Sequence, residues 1–335
     1  MIIKNIALSC MMMGLLACSC SNSTPSGKTD NTTATQTYQK ISPDFNADSA
    51  YYFVDRQVGF GPRVPNTKEH VQCGDYLVSE LERLGAKVTE QKADLKAFDG
   101  TVLKSRNIIG SYKPESTNRI LLFAHWDSRP FADHDPDKSK HRTPILGAND
   151  GASGVGVLLE IARQVQAQSP EMGIDIIFFD AEDYGTPDFV NDAPAGDWWC
   201  LGSQYWSKNP HVNGYKARFG ILLDMVGATD AKFHKEYFSK QNAGGIVEKI
   251  WGSARQLGYG KYFVDKDGGS VMDDHIPVIQ NLRIPCVDII QFDSQMPHGF
   301  GWYWHTTKDD MNVISKETLK AVGQTVMEVI YKEKV

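Results

Sequence analysis

The sequence predicts an α/β fold in three layers, α/β/α, around a central, mostly parallel mixed sheet with an antiparallel hairpin at one edge. The first observation behind this prediction is the run Ile174 to Phe179, whose β-branched and aromatic residues favour a strand buried on both faces. Three further apolar segments, Arg119 to Ala124, Phe219 to Leu223 and Pro285 to Phe292, have the same character. Amphipathic helical patterns lie between these segments, and such alternation is typical of a parallel sheet covered by helices.

The composition and the first residues limit the class of protein. The chain has 335 residues and a formal net charge of -6, so it can bury a large α/β core and has no basic surplus that would favour nucleic acid. Residues 1–17 contain one lysine and a short apolar stretch, which predicts a signal peptide rather than a membrane span. The segment Leu15-Leu16-Ala17-Cys18 resembles the lipobox of bacterial lipoproteins, which implies a lipid anchor on Cys18 in the periplasm. The alternatives are an anchor on Cys20 or ordinary cleavage to a soluble periplasmic protein.

The mature chain is predicted to contain a tether and one folded domain. Residues 18–41 are rich in Ser, Thr, Asn and Gln and have too few large apolar side chains to offset the entropy of ordering. Residues 42–335 form the α/β domain, which we expect to be a monomer that contacts the membrane only through its anchor. Cys73, Cys200 and Cys286 are too widely separated for a zinc knuckle or a disulfide framework, and we expect buried free thiols.

The first half of the domain contains two helices and a hairpin before the first buried strand. Apolar residues at helical spacing predict a helix over 48–60, ended by glycines and a proline. Asn66-Thr67-Lys68-Glu69 has the capping-box arrangement and predicts a second helix that stops at Gly85. Lys87 to Ala97 and Val102 to Gly110 read as two strands joined through a Gly-containing turn, which predicts the antiparallel hairpin.

The second half of the domain alternates the remaining strands with helices. Helical patterns follow the segments Gly147 to Gly154 and Asp273 to Pro277. Three more helical patterns cover Leu201 to Trp206, Gly245 to Leu257 and Ser315 to Lys332.

Acidic and imidazole side chains follow the predicted strands at the ends where ligands bind in open α/β sheets. His125 ends one strand, Glu182 and Asp183 follow the next, and Asp224 ends a third. Asp150, at the entrance of a helix, and His305, in a late loop, are expected at the same crevice. Each residue alone has an ordinary explanation: Asp150 as a helix cap, His125 as a structural group, the acids as a solvated loop. Together, nitrogen and oxygen donors without thiolates suit Zn²⁺ in an open catalytic site, with Mn²⁺ or Co²⁺ as alternatives.

These residues also carry a resemblance to a known superfamily. Their order is similar to that of the zinc aminopeptidase-like exopeptidases, whose motifs are matched by His125-x-Asp127, Gly-Ala-Asn-Asp150, Glu182-Asp183, Asp224-Met225 and the late His305. Within that superfamily, three segments look most like the glutaminyl-peptide cyclotransferases, the animal-type glutaminyl cyclases also found in bacteria: Phe178 to Asp183, Asp273 to Pro277, and Trp304-His305-Thr306. The resemblance covers nearly everything from Ser42 to the end and implies a zinc-exopeptidase-like fold.

The resemblance implies roles for the site residues. It makes Asp150, Asp183 and His305 the ligands of one zinc ion per chain, with Glu182 as the acid and base. Asp224 and Asp273 would form a hydrogen-bonded acidic pair beside it. The mammalian pattern has Glu where this chain has Asp183, so the shorter side chain must be compensated by the position of the backbone.

The resemblance also implies an activity: cyclisation of an N-terminal glutamine of peptides or exported proteins to pyroglutamate, with release of ammonia. The walls of the glutamine pocket would be Trp304, Trp302 and one of Trp198 or Trp199, although aromatic residues are more often part of a core.

Two other functions use the same residues. In a two-metal aminopeptidase, His125 and Asp224 would complete a second metal site, with Asp127 orienting His125. A catalytically silent binding module on the same scaffold is the third possibility, and the retention of Glu182 with every ligand argues against it.

Overall fold

Eight strands are present in the computed structural model, which describes residues 38–335. In chain order they are β1 (Lys87–Lys96), β2 (Val102–Tyr112), β3 (Arg119–His125), β4 (Gly173–Phe179), β5 (Gly220–Asp224), β6 (Phe233–Lys235), β7 (Phe263–Asp267) and β8 (Cys286–Ile290). Six of them form the central sheet in the order β1-β2-β4-β3-β5-β8, and β6 pairs with β7 in a small parallel sheet. In the central sheet the β1–β2 and β2–β4 pairs are antiparallel and the other pairs are parallel. The predicted mixed sheet with an antiparallel edge hairpin is confirmed.

Seven α-helices cover the sheet in the described part of the chain. They are α1 (Ala47–Val58), α2 (Lys68–Arg83), α3 (Ala152–Ala167), α4 (Leu201–Lys208), α5 (Tyr237–Gln256), α6 (His275–Leu282) and α7 (Lys316–Lys332). The contacts of alternate β4 residues show that these helices form two layers, one on each side of the sheet. Ile174, Ile176 and Phe178 belong to one core with α1, α2, α3, α5 and α7, whereas Ile177 and Phe179 pack in a second core with α4 and α6. Because side chains of a strand alternate between faces, β4 is buried on both sides, and its one charged residue, Asp175, is paired with Arg119.

The register of the strands brings their carboxyl ends to one level. His125, the last residue of β3, is paired with Phe179, the last residue of β4. Asp224, the last residue of β5, is paired with Ile290, the last residue of β8. The residues that follow these strands therefore meet at one edge of the sheet.

The start of α2 differs from the predicted capping box by one residue. Thr67 is the N-cap, and its hydroxyl accepts from the backbone N–H of His70 at 3.2 Å. Asn66 has φ +76° and lies before the helix, where its side-chain oxygen accepts from the backbone N–H of Lys104 at 2.7 Å. The expected capping by Asn66 with Glu69 was wrong because Asn66 is used to hold β2 instead.

Residues 38–41, which were assigned to the tether, contact α7. Tyr38 donates its hydroxyl hydrogen bond to Glu328, and the backbone N–H of Ile41 donates to the same carboxylate at 3.2 Å. The folded part therefore begins at least by Tyr38. The predicted signal peptide, Cys18 and the tether up to residue 37 lie outside the described residues.

No helix within residues 38–335 is both long enough and apolar enough to cross a bilayer. In the same part of the chain, Cys73, Cys200 and Cys286 are buried free thiols, as expected.

Candidate active site and metal centre

The carboxyl edge of the sheet holds the predicted site residues. His125 and Asp224 end their strands, and Glu182 and Asp183 follow β4 within four residues. Asp150 stands before α3, whose N-cap is Gly151, and no side chain caps that helix. The interpretation of Asp150 as a helix cap is therefore excluded, and its buried carboxylate is free for another role.

Left-handed backbone conformations cluster at this edge. Ala181, Cys200, Met225 and His305 have φ values of +55°, +56°, +48° and +54°. Such conformations are unfavourable for residues other than glycine and are typical of sites where the surrounding structure fixes them. Each of these four residues is a site residue or directly adjoins one.

Asp150, Asp183 and His305 form a buried group whose ligand-type atoms all lie within 4.8 Å of one another. His305 Nε2 is 3.4 Å from Asp183 Oδ1 and 3.8 Å from Asp150 Oδ2. A tetrahedral zinc ion with bonds of about 2.0–2.2 Å holds its donor atoms roughly 3.3–3.6 Å apart. The spacing of the three side chains therefore fits one divalent cation.

A second group shares Asp150. His125 Nε2 lies 3.0 Å from Asp150 Oδ1 and 3.3 Å from Asp224 Oδ1. Burial opposes protonation of His125, but the carboxylates of Asp127, Asp150 and Asp224 outweigh it and raise its pKa well above the ordinary value. The donors of a second metal position are therefore present beside the first.

Buried polar atoms without partners support a metal at this edge. Asp183 Oδ2 is buried and makes no hydrogen bond within residues 38–335, and the close contacts of His125 Nε2 with Asp150 and Asp224 lack hydrogen-bond geometry. Burial, and then the charge of Asp150, raise the pKa of Asp183 well above its ordinary value. Because unpaired buried carboxylates are costly, a bound cation is the natural partner of this group.

Glu182 lies next to the candidate metal ligands and forms a further group with Cys200 and Asp273. Ligand-type atoms of these three residues are within 4.8 Å of one another, and the Cys200 thiol contacts Glu182 Oε1 at 3.2 Å. Burial raises the pKa of Glu182 well above its ordinary value; His125 opposes the shift, whereas Asp183 and Asp273 add to it. A carboxyl group in such surroundings binds a proton more readily than an exposed one, as a proton carrier requires.

Asp224 and Asp273 both face the cavity and influence each other. Burial is the main cause that raises the pKa of Asp224 to about 6 and that of Asp273 to about 7, and the charge of Asp224 adds to the shift of Asp273. The predicted hydrogen bond between the two carboxyl groups stays a prediction.

Asp127 and Arg129 hold the segment that carries Glu182 and Asp183. Asp127 accepts from the backbone N–H groups of Glu182 and Asp183 at 3.1 and 3.2 Å, so it fixes the loop, and its distance to His125 Nδ1 is 3.5 Å. The guanidinium group of Arg129 donates to the Asp183 carbonyl at 3.1 Å and lies 3.4 Å from its carboxylate. Arg129 also makes two 2.7 Å hydrogen bonds to Asp133, whose carboxylate is 3.6 Å from His305 Nδ1.

The cavity over these groups has a volume of about 350 Å³ and aromatic walls. Trp304 stacks on the His305 ring with centroids 3.7 Å apart, and Trp199 lies parallel to it at 6.1 Å. Phe300 completes this side. Trp302 was wrongly predicted here: its side chain is 67% exposed and lies outside the cavity lining. Trp198 is also outside, because its indole N–H is held by the Pro194 carbonyl at 2.8 Å.

Sequence reasoning missed four contributors to the site. Arg129, Asp133, Cys200 and Phe300 lie in loops or at a helix start, where no periodic pattern marks them. Arg129 follows the His125-x-Asp127 motif by two residues, and that proximity was the available signal.

Comparisons with known proteins agree with this geometry. Residues 107–330 match the family described as peptidase family M28. A Zn-dependent exopeptidase from Parabacteroides distasonis is 63% identical with a TM-score of 0.86, and the match covers 87% of this chain and 100% of that one. A glutaminyl cyclase from Tannerella forsythia is 62% identical with a TM-score of 0.86 and the same coverage.

One curated relative is named as an aminopeptidase rather than as a cyclase. Aminopeptidase YwaD from Bacillus subtilis is 29% identical over 280 residues, which cover 81% of this chain and 54% of that protein. The chain therefore spans about half the length of this relative. Since the family match extends from β2 into α7, this protein belongs to peptidase family M28.

Proposed function

We propose that the protein is a glutaminyl cyclase, which converts an N-terminal glutamine of peptides or exported proteins to pyroglutamate and releases ammonia. The observation that carries the proposal is the placement of Asp273, whose buried Oδ2 atom has no partner within residues 38–335, in one group with Glu182 beside the candidate metal ligands. Hydrolysis of a peptide bond needs no such second carboxyl group. The identity of 62% to the Tannerella forsythia cyclase supports the same choice.

The cyclisation needs little more than positioning and proton transfer. The α-amine of the substrate attacks its own side-chain amide carbon, so holding the glutamine in a curled conformation supplies much of the acceleration. An α-amine has a pKa of about 7.7–8.0 in model peptides, so a useful fraction is uncharged near neutral pH. Glu182 would take a proton from the attacking amine and deliver it to the leaving nitrogen, a contribution of about 10²- to 10⁴-fold in rate.

The remaining residues bind and enclose the substrate. Trp199 and Trp304 would flank the glutamine side chain and keep water from the reacting amide. Asp150, Asp183 and His305 would hold one Zn²⁺ per chain, and the chemistry that this ion supplies when bound is polarisation of the amide oxygen. Burial and the neighbouring carboxyl groups of Asp183 and Asp273 would keep the pKa of Glu182 high.

Hydrolysis by a two-metal aminopeptidase is the second candidate function. The group His125, Asp150 and Asp224 favours it, because these side chains provide the donors of a second metal position. The name of the Bacillus subtilis relative points in the same direction.

Substrate selectivity tests the proposal directly. The purified protein is expected to release ammonia from the dipeptide Gln-Ala, measured with a coupled glutamate dehydrogenase assay, and to leave leucine p-nitroanilide intact. Hydrolysis of the leucine substrate without ammonia release from Gln-Ala would establish the peptidase instead. Metal content gives a second measurement, with about one zinc per chain for the cyclase and about two for the peptidase.

The variant Glu182→Gln tests the assigned role of the acid. We expect turnover to fall by at least about 10²-fold because the proton carrier is lost, while bound zinc, measured by elemental analysis, stays at the wild-type level. Loss of the metal from this variant would show that the roles of Glu182 and Asp183 have been exchanged. Exposed Glu115→Gln is the control and should change neither quantity.

We also propose that the protein is a monomer that is exported to the periplasm and anchored in a membrane through Cys18. The lipobox-like segment Leu15-Leu16-Ala17-Cys18 supports the export and the anchor, with residues 1–17 removed and the Ser- and Thr-rich residues after Cys18 as tether. Substitution Cys18→Ser should move the protein from the membrane fraction to the soluble periplasmic fraction.

A further inference from the structure

A second cavity, of about 450 Å³, adjoins the candidate active site. Trp199, Met272 and Asp273 line both cavities. The Met272 side chain at this junction is 59% exposed and belongs to the most adaptable residue type in packing. The second cavity is therefore a continuation of the first rather than an isolated pocket.

The continuation is a groove between α4 and α6. On one side, Cys200, Gln204 and Lys208 are spaced by four residues and so lie along one face of α4. On the other side, Ile276 and Gln280 follow one another along α6 in the same way. Eight residues of helix extend about 12 Å. An extended peptide advances about 3.3 Å per residue, so the groove accommodates about three or four residues.

The lining of the groove suits a peptide main chain. Ile276 and Pro277 are buried and give an apolar floor, and the amide side chains of Gln204, Gln280 and Asn281 stand along the rim. Amide groups both donate and accept hydrogen bonds, as a peptide backbone requires. No side-chain hydrogen bond engages Gln280 within residues 38–335, and the Oε1 atom of Gln204 is likewise free of hydrogen bonds there.

The far end of the groove carries a positive charge. Lys208 is exposed on the last turn of α4, and no carboxylate of the described chain forms an ion pair with it. A carboxylate of the ligand would find a cation here, about two helical turns from the active site.

The near end of the groove lies next to Glu182. Cys200, which lines the groove, contacts Glu182 Oε1 at 3.2 Å. The α-carbon of a substrate glutamine bears both the amine that Glu182 serves and the carbonyl that leads to the second residue. With the side-chain amide directed toward Asp150, Asp183 and His305, the rest of the peptide would leave the active site at the entrance of the groove.

We propose that the groove between α4 and α6 binds residues two to five of an extended peptide substrate, and that Lys208 favours a carboxylate at its far end. This inference rests on the proposed cyclase function. The carboxylate can be an acidic side chain or the free carboxyl terminus of a short peptide. The substrates selected are therefore peptides of about five residues or polypeptides with an acid near position five, rather than free glutamine or dipeptides.

The test compares kcat/KM for Gln-Ala-NH2 with that for pentapeptides of the form Gln-Ala-Ala-Ala-X. Three pentapeptides are needed: a neutral one with an amidated end, one with Glu at position five and an amidated end, and one with a free carboxyl terminus. We expect the neutral pentapeptide to exceed the dipeptide amide, and a carboxylate to add about 1.5- to 5-fold, the range of exposed ion pairs. The two charged peptides show which source of carboxylate the groove accepts.

Two substitutions assign these effects to the groove. Lys208→Ala should remove the preference for a carboxylate, and Gln280→Ala should lower the ratio of pentapeptide to dipeptide kcat/KM. The control is Lys216→Ala, which removes an exposed lysine that lines a different cavity. Equal kcat/KM for the dipeptide and all pentapeptides would overturn the inference while leaving the cyclase function intact, whereas no cyclisation of any peptide would overturn the function itself.

Discussion

Arg129 holds Asp183, the candidate ligand for which the mammalian pattern has the longer Glu. Its guanidinium group holds both the carbonyl and the carboxylate of Asp183, and it stacks on Trp199 with 4.7 Å from Cζ to the ring centroid. The same group makes a two-point ion pair with Asp133 beside His305. One buried side chain therefore fixes a candidate ligand, the neighbour of a second ligand, and a wall of the pocket.

Replacing Arg129 with Lys should weaken metal binding. Lysine keeps the positive charge but cannot reproduce the forked contacts to Asp133 and Asp183. Loss of such outer contacts typically lowers metal affinity about 10- to 100-fold. Competition with a chromogenic chelator measures the zinc Kd. Arg142→Lys is the control, because Arg142 is exposed and stacks on Phe189 at 4.4 Å without touching the site; a similar loss in both variants would contradict the assignment.

The tryptophans provide a matched pair of variants. Trp199→Ala should raise KM for Gln-Ala about tenfold or more, since burying a large apolar side chain against a ligand contributes roughly 1.5–3 kcal/mol. Trp302→Ala should leave KM unchanged, because Trp302 lies outside the cavity lining. Steady-state kinetics of both variants give the answer. An increase in KM for Trp302→Ala but not for Trp199→Ala would mean that the loop before His305 brings Trp302, rather than Trp199, against the substrate.

At the scale of single elements, the start of α2 allows a test of its cap. Thr67→Ala should lower the free energy of unfolding by about 1 kcal/mol, the usual contribution of an N-cap hydroxyl. Glu69→Ala should have a smaller effect, because Thr67 rather than Asn66 caps the helix and Glu69 makes no reciprocal capping-box bond. Urea denaturation of the purified protein measures both. A larger loss with Glu69→Ala than with Thr67→Ala would support the original capping box.

Elements with a strong local pattern were predictable from sequence, and those that depend on distant contacts were not. The run Ile174 to Phe179 identified β4, because apolar residues on both faces of a strand predict burial on both sides, and Asp175 is its only charged residue. The three-residue strand β6 carries no such pattern, since it is defined by its pairing with β7 and by the bridge from Phe233 to Gln291. His125, Asp183 and Asp224 were predictable as neighbours because strand ends of a parallel sheet converge. The set Asp150, Asp183 and His305 came from the resemblance to the zinc exopeptidases. Arg129 and Cys200 were not, because their contacts are set by loops whose paths no periodicity specifies.

At the scale of the whole molecule, the active-site edge concentrates negative charge within a protein of modest net charge. Asp224, Asp273 and Asp274 are buried together near Glu182, and both carboxylate oxygens of Asp274 lack hydrogen-bond partners within residues 38–335. The burial of these acids raises their pKa values to about 6, about 7 and about 8, from an ordinary value of 3.8. The folded state without metal therefore retains protons that the unfolded chain releases.

This charge predicts opposite effects of pH on the metal-free and metal-loaded protein. Between about pH 4 and pH 8 the folded metal-free protein binds more protons than the unfolded chain, so its stability is greatest at the acidic end and falls as pH rises through the raised pKa values. Metal binding requires ionised donors and stabilises only the folded state, so the stabilisation by zinc grows over the same range.

Thermal unfolding at pH 5, 6, 7 and 8, with chelator or with added zinc, measures both trends. The melting temperature of the metal-free protein should fall with pH, and the gap to the zinc-loaded protein should widen. Asp274→Asn should flatten the metal-free trend because it removes the group whose pKa is raised to about 8, whereas Asp192→Asn, at an exposed position, should not. A metal-free protein that becomes more stable toward pH 8 would show that these acids are paired with a partner other than a metal, because only a compensated carboxylate gains from ionisation in a buried site.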